Sequence, residues 1–175
     1  MTHCECIKEL TSQSADSPGL VQDDEPIVFA LVNPLTGSFK DISKSQLQTS
    51  TLSVCRAAHI SGAEAKSKTV DELIAKDETR KHEGFLWAEC SEIRALQLGS
   101  TNARAFCVID DALPGYAAHA HLGFSEPSDP LWKNHRVTAR GNLMLTFKKR
   151  GVFTDWNAHP FANNDNPTNY VPPGR

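Results

Sequence analysis

Two apolar runs joined by a short turn constrain the fold of this chain more than any other feature. The runs cover residues 103–111 and 117–124, and the residues between them include Pro114 and Gly115. Both runs have the length and composition of strands, and a Pro-Gly pair favours a turn. The pattern therefore predicts a β-hairpin that carries two aspartates near its turn and two histidines opposite them.

The rest of the chain supplies elements that cover this hairpin. Further strands are predicted at residues 27–32, 51–55 and 85–90. Ser61 with Glu64, and Thr69 with Glu72, have the spacing of capping boxes, which predicts one helix or two in succession. We therefore predict an α+β fold, in which a mainly antiparallel sheet of five or six strands has helices packed on one face.

Domain boundaries follow shifts in composition. Residues 1–25 are polar and lack an apolar period, which predicts a disordered or loosely docked lead-in. Residues 26–153 form the single predicted α+β domain, and residues 154–175 form an extended tail rich in Asn and Pro. The chain has no run of about 18 apolar residues, which argues against a membrane span.

The cysteines argue for a reducing compartment. There are five of them at irregular spacing, Cys4, Cys6, Cys55, Cys90 and Cys107, and this odd number does not match a disulfide framework. We expect the last three to be small buried hydrophobic side chains. The N-terminus also lacks the basic and apolar regions of a secretory signal, so the sequence predicts a cytoplasmic protein.

Positive charge is concentrated in the last predicted helix. Residues 129–151 carry a formal charge of +5, which leaves −8 for the rest of a chain whose net charge is −3. This asymmetry predicts a surface for an anionic ligand or an acidic partner, with a solvated helix face as the alternative. The candidate ligand-binding residues are all basic: Arg136, Arg140, Lys148, Lys149 and Arg150.

The same segment has a competing interpretation as a strand. Leu143, Leu145 and Phe147 alternate like strand residues, and Gly141 weakens a helix by about 1 kcal/mol relative to Ala. We favour the helix because Ala139, Leu143 and Phe147 recur at helical spacing. A nucleic acid partner is the weaker prediction, since the overall acidity opposes non-specific binding to phosphates.

His119 and His121 are the candidate chemical site. Residues two apart on a strand share a face, so both imidazoles point the same way. Together with Asp110 or Asp111 they are candidate ligands for a divalent metal, although no metal is favoured because His-x-His is common on exposed strands. Without a metal, one histidine serves as a general acid or base while Arg136 and Arg140, four apart on the predicted helix, hold an anionic substrate. In a purely structural role, one histidine bonds a turn carbonyl and the other lies in water.

Several short motifs follow one another in a characteristic order. They are Leu-Ser-Val-x-Arg at residues 52–56, Glu-x-Arg-x-Leu at 92–96, Asp-Asp-x-Leu-Pro and Ala-His-Ala within 110–120, and a basic last helix ending at Arg150-Gly151. In this order the chain resembles a group of small hypothetical bacterial proteins over residues 40–153. The group has no established activity, so the resemblance implies one coherent domain and no reaction. Its first histidine is regular and its second varies, which singles out Arg56 as an anion-binding residue and His119 as a polar pivot.

Two functions are consistent with these features. The first is a binding or accessory module that recognises a protein or an anionic ligand through the 110–121 hairpin and the basic 129–151 helix. The alternative is a small phosphodiester hydrolase or nuclease that uses His119 as general acid or base, with Arg56 and Arg136 beside it. A cleft that joins His119 to an arginine favours the enzyme, and a bond from His119 to a backbone carbonyl favours the module.

Overall fold

An antiparallel sheet lies at the centre of the molecule. The structure, a computed structural model, describes residues 5–33, 51–125 and 130–159. Within these ranges the strands are β1 (Pro26–Asn33), β2 (Thr51–Arg56), β3 (Lys81–Glu89), β4 (Phe106–Asp110) and β5 (His119–Phe124). They form one five-stranded sheet in the order β3-β1-β2-β5-β4, and every neighbouring pair is antiparallel. The predicted single-domain α+β class is confirmed.

Short helices and one long helix surround the sheet. They are α1 (Gly62–Lys66), α2 (Glu72–Lys76), α3 (Cys90–Arg94) and α4 (Pro130–Lys148). A π-helical turn, Ser67–Asp71, joins α1 to α2, so the two form one continuous helical segment. Among the described residues, no helix is both long and apolar enough to span a membrane.

Capping explains where the helical segment begins and why it is not divided. Ser61 and Glu64 form the predicted capping box at the start of α1. The second predicted box does not form, because the Thr69 hydroxyl donates 2.5 Å to the carbonyl oxygen of Ala65 instead. This bond from the side chain to the backbone carbonyl four residues earlier is the type that Thr makes inside a helix, and the helical segment continues through the π-helical turn into α2.

The two faces of the sheet are both covered by helices. On the first face, Phe29 and Val108 pack with Ile93 of α3 and with Leu143 of α4. On the second face, the core comes from strand residues, the α1–α2 segment and the C-terminal part of the described chain: Val28, Val32, Cys55, Ala65, Val70, Phe85, Phe153 and Trp156. The predicted placement of helices on one face is therefore corrected. The unbroken apolar run of β1 is the signal, since a strand buried on both faces has no polar alternation.

The predicted hairpin is present as β4 and β5. Val108 pairs with Leu122 in its middle, and a bridge between Leu113 and Tyr116 closes the connecting turn. Because β5 also pairs with β2, the hairpin is joined to the interior of the sheet along one whole strand. The end of the hairpin thereby lies beside the end of β2.

The last helix settles the competing interpretation of residues 143–147. They are helical, and Leu143 and Phe147 are buried while Leu145 is 68% exposed. Another boundary differs from prediction, since β3 begins at Lys81 rather than at residue 85. Its first residues are charged, which edge strands tolerate because one side of the strand has no neighbour.

Residues 5–25 pack against the sheet, in contrast to the predicted loose lead-in. A disulfide joins Cys6 to Cys107 of β4, with a Cα–Cα distance of 5.2 Å. The Glu9 carboxylate accepts hydrogen bonds from the backbone N–H of Val108 and from Arg104. Because β4 is an edge strand, the Val108 N–H has no strand partner on its outer side, and the Glu9 carboxylate accepts its hydrogen bond instead.

The disulfide corrects the prediction that the cysteines are unpaired. Cys107 is buried as expected, but it is bonded to Cys6, whereas Cys55 and Cys90 are buried free thiols. Disulfides persist mainly in oxidising compartments, so the argument for a reducing compartment loses its support from unpaired thiols. A cytoplasmic location stays a prediction.

The predicted extended tail lies mostly outside the described residues. Of residues 154–175, the structure describes 154–159, which contain the 3₁₀ turn Trp156–Ala158. Trp156 is buried against Phe85 and Phe153, so this part of the chain belongs to the core of the second face.

Candidate functional site

Arg56, the predicted anion-binding residue, is fully engaged inside the protein. Its guanidinium makes two hydrogen bonds to Glu25, at 2.8 and 2.7 Å, and one of 3.0 Å to Asp110. It also donates to the backbone carbonyls of Gly19 and Leu20, at 2.6 and 3.3 Å. Its side chain is 1% exposed. Arg56 therefore fastens the N-terminal segment to the sheet and is closed to an external anion.

The topology of the sheet brings the members of this Arg56 cluster (Glu25, Arg56 and Asp110) together. Arg56 ends β2, Asp110 ends β4, and Glu25 directly precedes β1. Antiparallel pairing places these three points at the same end of the sheet. A buried charge is tolerated when opposite charges and hydrogen bonds surround it, which this meeting of strand ends supplies.

The surroundings of the Glu25 carboxyl lower its pKa. Burial alone would raise its pKa, but hydrogen bonds from His59 and Arg56, together with the charge of Arg56, hold the pKa of Glu25 at about 2. The Glu25 carboxylate is thus ionised at neutral pH. Its negative charge is matched by the buried guanidinium.

His119 and His121 both contact Asp111 through their Nδ1 atoms. Nδ1 of His119 lies 2.6 Å from the Asp111 carbonyl oxygen, and Nδ1 of His121 lies 3.1 Å from Asp111 Oδ2. A carbonyl oxygen accepts, so Nδ1 of His119 carries a proton. The imidazoles are 12% and 19% exposed, so neither simply lies in water. His119 is therefore held to the hairpin turn, which is the bond that a structural role predicted for one of the two histidines.

Metal binding at this position receives no further support. Among the described residues, no three His, Cys, Asp or Glu side chains are grouped so as to hold a metal ion. His119, His121 and Asp111 do come together, but through the bonds within the hairpin given above. A metal ion at these three residues stays a prediction.

The end of the basic segment is neutralised by acidic neighbours. Lys149 lies 2.9 Å from Glu92, and Arg150 bonds the other oxygen of Glu92 and lies 3.4 Å from Glu89. The Arg150 guanidinium also lies over the Trp87 ring, 4.3 Å from its centroid. These contacts tie the residues after α4 to β3 and α3. Both cations therefore have partners within the chain.

The remaining basic candidates differ in exposure. Arg136 is exposed, Lys148 is half-buried, and Arg140 is half-buried with its guanidinium 5.3 Å from the centre of the Phe124 ring. Burial and the nearby charge of Arg136 lower the pKa of Arg140. Since α4 packs on the first face and His119 lies on the second, Arg136 is not beside His119. The structure thus separates Arg136 from His119. Arg56 lies beside His119 in the backbone pairing of β2 with β5, but its guanidinium is held by Glu25 and Asp110.

A cavity of 660 Å³ lies on the second face of the sheet. Its floor is formed by residues of β1 and β2, including Val28, Val32 and Ser53. Leu73 of the α1–α2 segment covers one side, and Leu113 of the hairpin turn covers another. Most of this lining is apolar, as in sites for small molecules. The cavity is therefore enclosed by three elements that are distant in sequence.

Polar groups of the hairpin turn also line the cavity. His119 is one of them, and Tyr116 is the other. The Tyr116 hydroxyl is buried beside the Cys55 thiol, a weak hydrogen-bonding group, and has no oxygen or nitrogen partner in the described part of the chain. Burial and the neighbouring Cys55 raise the pKa of Tyr116, so the hydroxyl keeps its proton at neutral pH. It is a donor available to a bound molecule.

Charged side chains of the helical segment complete the lining. They are Lys68 and Lys76, with Glu72 between them. Lys68 is half-buried, whereas the other two are exposed. The formal charge of this group is +1.

Sequence reasoning found part of this cavity and missed the rest. It singled out His119 and the hairpin end, but not Tyr116, Lys68 or Lys76. The lysines of a helix resemble a solvated face in the sequence, and only the packing of that helix over β1 and β2 gives them a role. An aromatic residue directly after Pro114-Gly115 was the available signal for Tyr116.

The function of this chain is argued from the cavity, the hairpin turn and the charged residues that line the cavity. The resemblance to small hypothetical bacterial proteins stays a prediction. A scan of protein-family models, a search of curated proteins and a search of solved structures find no match to this chain.

Proposed function

We propose that the protein is a binding module that holds a small, mainly apolar ligand in the cavity of its second face. The observation that carries this proposal is the cavity itself, whose 660 Å³ falls within the range of small-molecule sites, about 300 to 1,000 Å³. Its walls come from the central strands β1 and β2, from a helix and from the hairpin turn. A site on such rigid elements is formed before the ligand arrives.

The hairpin end contributes the polar side of the proposed site. His119 is held by its 2.6 Å bond to the Asp111 carbonyl oxygen, so its ring has a fixed orientation. A fixed polar group loses little conformational entropy when a ligand binds. This supports the predicted role of the 110–121 hairpin in recognition. Lys149 and Arg150 contribute less, because they are paired within the chain.

The alternative, a phosphodiester hydrolase with His119 as general acid or base, has weaker support. In that prediction Arg56 or Arg136 holds the phosphate beside the histidine. Arg56 is buried among carboxylates, and Arg136 lies on α4 in the opposite layer. Phosphodiester hydrolysis stays a prediction, and the cavity favours binding.

A titration with a neutral, solvatochromic dye such as Nile red tests the binding module. Its fluorescence should rise and saturate as the dye enters an apolar site. The exposed cavity residue Ser53 lies on β2, so Ser53→Trp should fill space in the site and weaken binding at least tenfold. Val137→Trp is the matched control, since Val137 is 73% exposed on α4. Saturable binding that is equal in both variants, or no binding to the wild-type protein, would overturn the proposal.

A further inference from the structure

We infer that the ligand of this cavity is a small monocarboxylate with an apolar body, whose carboxylate is bound by Lys68 and the Tyr116 hydroxyl. This inference rests on the proposed function, because it names the chemical class of ligand for the same cavity. Two observations support it independently. Among the described residues, one is a half-buried lysine without an acidic partner, and the other is a buried hydroxyl that has only the Cys55 thiol beside it.

Lys68 supplies the charge argument. It lines the cavity and is half-buried, yet no ion pair joins it to a carboxylate within the described residues. Glu72 stands four residues away, at the spacing of helical ion pairs, but it makes no such pair with Lys68 or Lys76. An ammonium group without an acidic neighbour, placed beside an apolar cavity, attracts an anion. A ligand carboxylate provides that anion.

The net charge of the described lining residues favours a monoanion. Lys68 and Lys76 against Glu72 give +1, which one carboxylate neutralises. A phosphate monoester carries nearly two negative charges at neutral pH and would leave one uncompensated. An alkylammonium ion would be repelled by the excess positive charge. A neutral ligand would fill the apolar space and leave Lys68 unpaired.

Tyr116 supplies the hydrogen-bond argument. Its hydroxyl is buried, keeps its proton, and within the described part of the chain has only the weak Cys55 thiol beside it. A buried donor without a good acceptor is unfavourable. A carboxylate oxygen is an acceptor that satisfies the donor and gains a charge-assisted bond. Val28, Val32 and Leu73 then surround the apolar remainder of the ligand.

The test compares three probes that share one chain: decanoate, 1-decanol and decylammonium. Each is titrated against the full chain by displacement of the neutral dye. Decanoate should bind about tenfold more tightly than 1-decanol, the factor expected from one charge-assisted hydrogen bond. Decylammonium should bind least.

Variants test the charge of Lys68 separately from the volume of the cavity. Lys68→Met keeps the length of the side chain and removes its charge, so it should abolish the preference for decanoate and leave 1-decanol binding unchanged. Tyr116→Phe should weaken decanoate several-fold. Lys133→Met is the control, because Lys133 is an exposed lysine on α4, away from the cavity. It should change neither affinity.

The outcomes distinguish this inference from the proposed function. If decanoate and 1-decanol bind equally well and Lys68→Met has no effect, the cavity binds apolar ligands and the carboxylate assignment is wrong. Tighter binding of decyl phosphate than of decanoate would also overturn the assignment. If neither the dye nor any probe binds, the proposed function itself fails.

Discussion

The two cationic sites of this protein differ in how their charges are compensated. In the Arg56 cluster, a guanidinium that is 1% exposed has two carboxylates and two backbone carbonyls around it. In the cavity, half-buried Lys68 has no carboxylate among the described residues within ion-pair distance. A cation that is satisfied within the fold stabilises it, whereas one left unsatisfied is available to a ligand. Stability measurements on variants of the two sites test this difference in charge compensation.

The largest expected effect comes from removing the buried guanidinium. Arg56→Met should lower the free energy of unfolding by about 4 kcal/mol, because Glu25 and Asp110 lose the charge that compensates them. Urea denaturation measures the change. Arg80→Met is the control, since the more exposed Arg80–Asp77 pair should contribute less than about 1 kcal/mol. If both variants lose the same free energy of unfolding, the burial of Arg56 does not make its ion pairs stronger than the more exposed Arg80–Asp77 pair.

The disulfide should contribute slightly less to the same N-terminal attachment. Cys6→Ser should lower the free energy of unfolding by about 3 kcal/mol, because the Cys6–Cys107 bond closes a separation of 101 residues in the unfolded chain. Urea denaturation with and without dithiothreitol measures it. The reductant should destabilise the wild-type protein and leave the variant unchanged. A wild-type protein that is insensitive to reduction would argue against the pairing of Cys6 with Cys107.

Acid should weaken the Arg56 cluster in a defined range of pH. Glu25 has a pKa of about 2 in the folded protein and an ordinary value of 4.5, so the folded state favours its ionised form. Its contribution is present above about pH 4.5 and is lost as the pH falls towards 2, up to about 3 kcal/mol. Urea denaturation between pH 6 and pH 2 measures this loss. Glu25→Gln should flatten the slope in that range, and an unchanged slope would place the acid sensitivity elsewhere.

Local features of the fold could be predicted from the sequence. Two apolar runs with Pro114 and Gly115 between them gave the β4–β5 hairpin, because strand length, turn and register all depend on neighbouring residues. Ser61 and Glu64 correctly marked the beginning of α1 for the same reason. Such patterns need no knowledge of the rest of the chain.

The two cationic sites depend on the order of strands, which the sequence does not encode locally. Arg56 meets Glu25 and Asp110, which lie 31 and 54 residues away along the chain. The resemblance to small hypothetical bacterial proteins suggested an anion-binding role for Arg56, and only its burial at the meeting of strand ends reveals a structural one. Lys68 shows the converse, because a lysine that resembles a solvated helix residue lies over a cavity.

The smallest expected effect on stability tests the comparison most directly. Lys68→Met should change the free energy of unfolding by less than about 0.5 kcal/mol, because within the described residues the lysine has no carboxylate partner to lose. The measurement is urea denaturation without any ligand, under the conditions used for Arg56→Met. If Lys68→Met instead costs more than about 1.5 kcal/mol, the ammonium group is already satisfied within the fold. Lys68 would then resemble Arg56, and its charge would no longer be available to a carboxylate.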